Sequence, residues 1–177
     1  SSQLTNIKAK NPDGLFLSGY FNEVGPMVRQ AAEQGIRAVY MGGDGWDSSE
    51  IRTSGGEAII GGYFCNHYNN NEDRKEVQEF LTAWKAAYGG KLPGTTMGAL
   101  GYDAVKLVGD ALKRAADPTK REDVVKAINE TENFPGVTGT ITLKGKKGNP
   151  DKRALVVSIG KDDFLFEKAY EASDVEK

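Results

Sequence analysis

Cysteine and histidine are nearly absent from this sequence, which has one of each among 177 residues. The single Cys65 cannot form an internal disulfide bond, so cysteine usage leaves the redox compartment open. Because Cys65 falls in an apolar stretch, we expect its thiol to be buried and unreactive. A metal site needs several His, Cys or carboxylate ligands at suitable spacing, and His67 lies in a polar, asparagine-rich stretch typical of a loop. The sequence therefore predicts no metal site.

Neither sign of charge dominates, and no long apolar run is present. Lys and Arg number 23 against 25 Asp and Glu, a formal net charge of −2, which argues against a nucleic-acid partner. No apolar run approaches the roughly 18 residues that a membrane-spanning helix requires. Residues 1–4 lack the charged and apolar regions of a signal peptide, so we expect that such a segment was removed or lies upstream. With 38% hydrophobic residues, the chain can form one ordinary domain with a core.

The sequence does contain two glycine-bearing turns, each directly after a short apolar run. Residues 15–17 lead into Ser18-Gly19-Tyr20-Phe21, and residues 38–41 lead into Gly42-Gly43-Asp44-Gly45-Trp46. A helix predicted over residues 22–34 lies between them, so the segment is a strand–helix–strand crossover with parallel strands. Parallel neighbours end at the same sheet edge, where open α/β sheets bind small ligands. We therefore expect Tyr20 and Asp44 to lie side by side at a cleft.

These two side chains suit a ligand that carries an ammonium group. Asp44 supplies a negative charge, and the glycines around it indicate close approach by another group. Tyr20 offers an aromatic face and a hydroxyl, although the pattern alone also fits a core aromatic at a strand end. Trp46 either lines the pocket or covers the end of the sheet, and we interpret Asp47 as the cap of a short helix near residues 48–53. The pattern favours a binding site with no catalytic residues.

Other chemistries find weaker support. A nucleotide site would need G-x-G-x-x-G or a P-loop before a helix, and an aspartate inside the 42–46 turn would repel phosphate. The serine-hydrolase elbow G-x-S-x-G is absent, and any catalytic triad would have to use His67. Asp44 and Asp47 are candidates for paired carboxylates in acid–base chemistry. A doubly wound enzyme domain that uses the 42–45 turn for a nucleotide or phosphate substrate stays the alternative.

The predicted elements follow the order βαβαβ, then helices, then strands. A short helix is predicted over residues 3–10, and the third apolar strand over residues 58–65. Two longer helices, over residues 72–88 and 96–116, flank a glycine-rich linker at 89–94. On the second of them we expect one buried apolar stripe: Leu100, Ala104, Leu107, Val108, Ala111 and Leu112. The last third contains weak alternation at 137–143 and strands at 154–159 and 164–168.

The two turns and their separation resemble a known family, the periplasmic leucine/isoleucine/valine-binding proteins of ABC transporters. The resemblance covers nearly the whole chain, and the first two of its stretches are fairly specific. The stretches are residues 12–20 (PDGLFLSGY), 25–31 (GPMVRQA), 41–45 (MGGDG), 101–105 (GYDAV) and 139–143 (GTITL). Family members are much longer, and this chain resembles their C-terminal portion only.

The resemblance implies an incomplete α/β protein of the type I periplasmic-binding fold. In that fold, two lobes close on an amino acid, and each lobe is a three-layer α/β/α sandwich. Residues 1–93 would form the main part of the second ligand-binding lobe. Residues 94–150 would belong to the first lobe, and residues 151–177 would return as strands to the second.

The resemblance also implies roles for the residues of the two turns. In the family, the aromatic residue after the strand-end glycine and the acidic residue in the next glycine-framed turn hold the ligand's α-ammonium. Tyr20 and Asp44 occupy those positions here. Ser18, Phe21 and Trp46 would shape the surroundings of the ligand.

Finally, the resemblance implies partners and a location. The chain would be the substrate-binding component of an ABC importer for a small, aliphatic or branched-chain amino acid, with no cofactor and no enzymatic activity. A membrane permease would receive the ligand at the periplasmic or extracellular face of the membrane. Because strands of the family fold are missing, we expect pairing with the amino-terminal portion or self-association, since unpaired sheet edges invite association. A sensory ectodomain of the same fold is a further alternative.

Overall fold

The computed structural model describes residues 2–175, which form seven α-helices, two short 3₁₀ turns and seven strands. The helices are α1 Ser2–Lys8, α2 Phe21–Glu33, α3 Glu50–Gly55, α4 Lys75–Ala87, α5 Met97–Arg114, α6 Arg121–Asn129 and α7 Ala172–Val175. The strands are β1 Gly14–Leu17, β2 Val39–Gly42, β3 Tyr63–Asn66, β4 Phe134–Gly136, β5 Gly139–Ile141, β6 Ala154–Ile159 and β7 Phe164–Tyr170. Among these helices, none is both long and apolar enough to cross a membrane.

The residues fall into two compact units. The first contains residues 2–66 and 155–169, and the second contains residues 67–154 and 170–175. The predicted division into residues 1–93, 94–150 and 151–177 refers to the lobes of a longer molecule, and it stays a prediction.

A five-stranded mixed sheet in the order β1-β2-β3-β6-β7 is the frame of the first unit. Strands β1, β2 and β3 run parallel, and β6 pairs antiparallel with β3. This arrangement confirms the parallel crossovers expected from the sequence. The predicted helix at 22–34 and the strands at 15–17, 38–41 and 154–159 all form within two residues of their predicted ends.

Helices α1, α2 and α3 cover one face of this sheet. Their inward side chains form a single apolar cluster with alternate residues of the strands, as period-2 alternation requires. Fully or almost fully buried members are Leu4, Val24, Val28, Ala31, Tyr40, Ile51, Phe64, Val157 and Ile159. Helix α2 ends where Gly35 takes a φ of 81°, and the Gly35 N–H donates to the Ala32 carbonyl at 2.9 Å.

The third strand is shorter than predicted. Residues 58–65 were expected to form one strand, but residues Gly56–Ile59 form a 3₁₀ turn and the strand is limited to Tyr63–Asn66. Glycine explains the difference, because Gly61 lies within the predicted strand and adopts a φ of 82°, which an extended strand does not allow.

The expectation of a buried Cys65 is wrong, because the alternation of β3 turns Cys65 outward while Phe64 points into the core. The predicted cap at Asp47 is also wrong. Helix α3 begins at Glu50 with Ser49 in the N-cap position, and the Ser48 hydroxyl accepts the Glu50 N–H.

The second unit combines helices α4, α5 and α6 with the β4–β5 hairpin. In its core, the Phe80 ring contacts the rings of Tyr68, Trp84 and Tyr102. The weak alternation at 137–143 corresponds to this hairpin, which spans residues 134–141.

A buried carboxylate fixes the hairpin to α5. Asp103 accepts the backbone N–H groups of Val137 and Thr138, each at 2.8 Å, and the Thr138 hydroxyl at 2.7 Å. Glu72, shortly before the start of α4, forms salt bridges with both Arg74 and Arg153.

The predicted stripe of α5 is only partly buried. Leu107 and Ala111 are in the core, whereas Ala104, Val108 and Leu112 are exposed. The apolar surface of α5 is therefore wider than the core that it contacts within this unit.

Candidate ligand-binding site

The candidate site lies where strands β1 and β2 end. The two strands pair in register, so that Leu17 is opposite Gly42. Both strands therefore end at the same level of the sheet. Strand β1 continues through residues 18–20 into α2, and β2 continues through Gly43 into a 3₁₀ turn at Asp44–Trp46. The register therefore brings the two predicted turns to one edge of the sheet.

Gly45 shows that the two turns touch. A Cβ atom placed on Gly45 would lie 2.7 Å from the Gly19 carbonyl oxygen and 3.2 Å from Cδ1 of the Tyr20 ring. Real side chains do not tolerate the first distance, so this contact requires glycine. The turn that carries Asp44 is thus packed directly on the turn that carries Tyr20.

Tyr20 and Asp44 both present their side chains to solvent. Tyr20 has 66% of its surface exposed and occupies the N-cap position of α2 with an extended backbone, φ −102° and ψ 161°. Its side chain makes no capping hydrogen bond, so the hydroxyl and ring face are not used to hold the helix. Asp44 is also exposed and is the only charged residue in the two turns. An exposed carboxylate next to an aromatic ring can attract a cation by charge and by cation–π contact.

Trp46 lies beneath the turns and is fully buried. Its indole N–H donates to the Leu17 carbonyl at 3.2 Å, and its ring covers Gly42, where an added Cβ would lie 2.1 Å from Cε2. The sequence left open whether Trp46 lines the pocket or covers the end of the sheet. In the structure, Trp46 covers the end of the sheet. A direct contact between Trp46 and a ligand stays a prediction.

The remaining predicted site residues differ in exposure. Ser18 is exposed directly after β1, whereas Phe21 is partly buried and packs against the core of the first unit. Phe21 therefore anchors the start of α2, and Ser18 presents a hydroxyl at the edge. Their contribution to ligand binding stays a prediction.

Sequence reasoning missed the specific roles of Gly42 and Gly45. The Gly-Gly-Asp-Gly run signalled close approach by some group, but it did not reveal that the groups are the Trp46 ring and the Gly19 carbonyl. A pattern of glycines indicates missing Cβ atoms; only the packed structure identifies what fills their place.

One buried hydroxyl lies on the same strand as the site. Tyr40 of β2 is 5% exposed, and burial raises the pKa of its hydroxyl above the usual value. Among the described residues its hydroxyl has no hydrogen-bond partner. It faces the helices, as the alternation of β2 requires, and is separate from the exposed turn.

Within residues 2–175 no group of three or more His, Cys, Asp or Glu side chains is arranged to hold a metal ion. His67 is half-buried in the bend that follows β3. The exposed groups of the two turns are a carboxylate, a phenol and a serine hydroxyl.

An open α/β sheet with two adjacent turns at its carboxyl edge is typical of small-molecule binding domains. The chain belongs to the periplasmic binding protein family, whose family model matches residues 1–163.

Relatives within this family include branched-chain amino-acid-binding proteins. The Leu/Ile/Val-binding protein homolog 1 of Brucella suis biovar 1 is 30% identical over 153 residues, which cover 85% of this chain and 39% of that relative. A crystal structure of the leucine-binding protein LivK from Thermotoga maritima is 32% identical, with a TM-score of 0.87 over 98% of this chain and 49% of its own. The LivJ protein of Streptococcus pneumoniae, solved with isoleucine, is 29% identical, with a TM-score of 0.76 over 97% of this chain and 47% of its own.

These likenesses confirm the predicted family and fold. The chain has the type I periplasmic-binding architecture, and it is similar to one part of proteins that are named for binding branched-chain amino acids. It spans about two fifths of the length of its curated relatives and about half the length of the solved structures.

Proposed function

We propose that this chain is the C-terminal part of the substrate-binding component of an ABC importer for a small amino acid, an aliphatic or branched-chain one. The observation that carries the proposal is the direct packing of the Asp44 turn on the Tyr20 turn at the carboxyl edge of the sheet. The names of the relatives, which bind leucine, isoleucine or valine, support the same ligand class.

In this proposal Asp44 pairs with the ligand's α-ammonium group. The Tyr20 ring packs over the ammonium or its hydroxyl accepts a hydrogen bond from it, while Ser18, Phe21 and Trp46 shape the surroundings. A charge-assisted hydrogen bond is about twice as strong as a neutral one, which makes this pair the main determinant of orientation. No bond is made or broken, so the role is binding without catalysis.

The exposure of Asp44 explains why a second lobe is needed. An ion pair in open water contributes about 1 kcal/mol or less. Closure of another lobe over the ligand would exclude water and strengthen the same pair. We assign residues 1–93 and 151–177 to the lobe that carries Asp44, and residues 94–150 to the lobe that closes on it.

Lobe closure would then signal occupancy to a membrane permease. This places the whole protein in the periplasm or at the outer face of the membrane, as the family name supports. The side chain of the ligand would be selected largely by the lobe whose strands this chain lacks.

The direct test is isothermal titration with isoleucine, using the chain together with the amino-terminal portion that its relatives carry. We expect Asp44→Asn to weaken binding at least tenfold, because it removes the charge that faces the ammonium; each tenfold is about 1.4 kcal/mol.

Asp13→Asn is the matched control, since Asp13 is an exposed aspartate immediately before β1, at the opposite end of that strand. We expect it to leave affinity unchanged. Equal affinity for Asp44→Asn and the unaltered chain would contradict the proposed site. Heat from a nucleotide but none from amino acids would favour the enzyme alternative.

A further inference from the structure

Trp46 makes a hydrogen bond that the backbone after β2 would otherwise make. In the β1–β2 ladder, the Val39 N–H donates to the Asp13 carbonyl at 2.9 Å. The bonds of a parallel ladder recur at every second residue, so continued pairing would bring the Gly43 N–H to the Leu17 carbonyl. Pairing ends one residue earlier, and the Leu17 carbonyl accepts the Trp46 indole N–H at 3.2 Å. The indole therefore takes the place of the next backbone donor.

This exchange of donors lets the chain leave the sheet while the last carbonyl of β1 stays hydrogen-bonded. Backbone carbonyls away from solvent almost always have a donor in native proteins. Gly43 leads the chain out of the ladder and into the turn that carries Asp44, and the indole supplies the donor that the ladder has lost. The turn can thus bring Asp44 to the exposed edge without an unpaired carbonyl beneath it.

The Trp46 ring is also fixed on its other sides. Trp46 is fully buried. Its ring lies so close to Gly42 that an added Cβ would be 2.1 Å from Cε2, and the ring centroid is 6.4 Å from that of Phe64. Close-packed interiors leave a buried ring of this size little freedom to move. The indole is therefore a rigid anchor for the residues next to it in the chain.

Asp44 is joined to this anchor by a single short turn. Asp44 and Trp46 are the first and last residues of one 3₁₀ turn. The Trp46 backbone N–H donates to the Gly43 carbonyl at 3.2 Å, and the Asp47 N–H donates to the Asp44 carbonyl at 3.1 Å. A shift of the indole would therefore move the residue that carries the carboxylate.

The same turn touches the segment before Tyr20 at two points. Trp46 donates to the Leu17 carbonyl, and Gly45 packs on the Gly19 carbonyl. Both carbonyls belong to the three residues that lead directly to Tyr20. These two contacts fix where the carboxylate end of the turn lies relative to the tyrosine ring.

We propose that Trp46 is a positioning residue for ligand binding: its indole N–H, bonded to the Leu17 carbonyl, holds Asp44 where the carboxylate meets the ligand's ammonium group. The inference rests on the proposed function and adds to it a residue that acts through Asp44. Hydrogen bonds weaken steeply as their angle departs from linear, so a small displacement of the carboxylate lowers affinity.

The test is isothermal titration with isoleucine, using the chain together with the amino-terminal portion that its relatives carry. Trp46→Phe keeps an aromatic ring under the turn but removes the N–H. We expect isoleucine to bind about fivefold more weakly, which is the effect of losing one neutral hydrogen bond.

A second variant removes the N–H with less change in packing, so that a poorly folded Trp46→Phe does not decide the outcome. In a Trp84→Phe background, Trp46 is the only tryptophan of the chain. Growth with benzothienylalanine in place of tryptophan then exchanges the indole N–H for sulfur at this position alone. The ring keeps its shape, and we expect a similar loss, about fivefold, relative to the same background with tryptophan.

A double-mutant cycle distinguishes positioning from a general loss of structure. Because the N–H acts through Asp44, its removal should weaken binding less than about twofold once Asp44→Asn has removed the charge. Val28→Ala is the matched control, since it opens a cavity in the same apolar core. It should lower the melting temperature of the chain and leave the affinity of the folded protein unchanged.

The inference is overturned if loss of the N–H leaves affinity unchanged, or if it weakens binding equally with Asp44 and with Asp44→Asn. Either result is compatible with the proposed function, provided that Asp44→Asn alone weakens binding. Equal affinity for Asp44→Asn and the unaltered chain would overturn the proposed function, and this inference with it.

Discussion

At the scale of single residues, the candidate site depends on the absence of a side chain at Gly45. The glycine lets the Asp44 turn lie against the Gly19 carbonyl, and any Cβ there would meet that backbone oxygen at 2.7 Å. Gly43, two residues earlier, has no atom within 4 Å of an added Cβ and has an ordinary φ of −94°. The two glycines therefore form a matched pair for testing the contact.

We expect Gly45→Ala to push the two turns apart and so to lower the free energy of unfolding by about 1–3 kcal/mol. It should also weaken isoleucine binding by the chain together with the amino-terminal portion that its relatives carry. Gly43→Ala should leave both nearly unchanged. Urea denaturation and isothermal titration provide the two measurements. Equal effects of the two substitutions would show that the contact between the turns is unimportant.

A second prediction at this scale concerns the buried hydroxyl of Tyr40. Because it lacks a partner among the described residues, Tyr40→Phe should raise the free energy of unfolding by about 1 kcal/mol. Tyr63→Phe, on the same sheet but with a half-exposed ring, should have no such effect.

The Tyr40 hydroxyl should also make stability depend on alkaline pH. Its pKa is raised in the folded state by burial, so the neutral form is favoured by folding. Ionisation of this hydroxyl therefore has no effect on stability below the unfolded pKa of about 10, and stability falls as pH rises from there through the folded pKa. Denaturation at pH 8 and pH 10.5 should therefore show a larger loss for the unaltered chain than for Tyr40→Phe. Identical losses would contradict a buried, titrating hydroxyl.

At the scale of elements, α5 shows how an amphipathic pattern can exceed the core that is present. Leu107 is 7% exposed, yet Val105 is 74% exposed and Val108 and Leu112 are each 40% exposed. The sequence pattern treats all apolar positions of a helix alike, whereas burial depends on whether another element lies against them. The exposed stripe of α5 is available for contact with a further layer.

We expect Leu107→Ala to lower the free energy of unfolding by about 2–5 kcal/mol, because it opens a cavity in the second unit. Val105→Ala should change it by less than about 0.5 kcal/mol in the chain alone. Thermal or urea denaturation measures both. A large loss for Val105→Ala in the isolated chain would mean that this side chain is covered in solution.

At the scale of the whole molecule, residues 2–175 include an exposed apolar surface in each unit. In the first unit it is the outward side of β1, β2 and β3, with Phe16, Met41 and Tyr63, and in the second it is the stripe of α5 with Val105 and Val108. Exposed sheet edges and apolar faces favour association. We therefore expect the chain alone to self-associate as its concentration rises, and the amino-terminal portion to suppress this by competing for the same surfaces. Sedimentation velocity with and without that portion is the measurement. A monodisperse, folded monomer at all concentrations would contradict the prediction.

Much of the fold follows from local patterns in the sequence. The β1–α2–β2 crossover was predictable because short apolar runs, a helical stripe and glycine punctuation all agree over residues 14–42. The bounds of the third strand were harder to predict, since an apolar run does not distinguish a 3₁₀ turn from a strand. The burial of α5 was also harder to predict, since an apolar stripe does not show whether another element covers it. The burial of Cys65 was predicted wrongly because an apolar run does not show which of its residues face the core. That depends on the register of β3 in the sheet.

The order of elements, the parallel crossover and the placement of the Tyr20 and Asp44 turns at one sheet edge could all be predicted from the sequence, because they follow from residue patterns within a few dozen positions. The burial of Trp46, the contact of Gly45 with the Gly19 carbonyl and the exposure of Phe16 on β1 are known only from the three-dimensional structure. These depend on contacts between residues far apart in the chain, and the packing of distant atoms is not written in any local pattern.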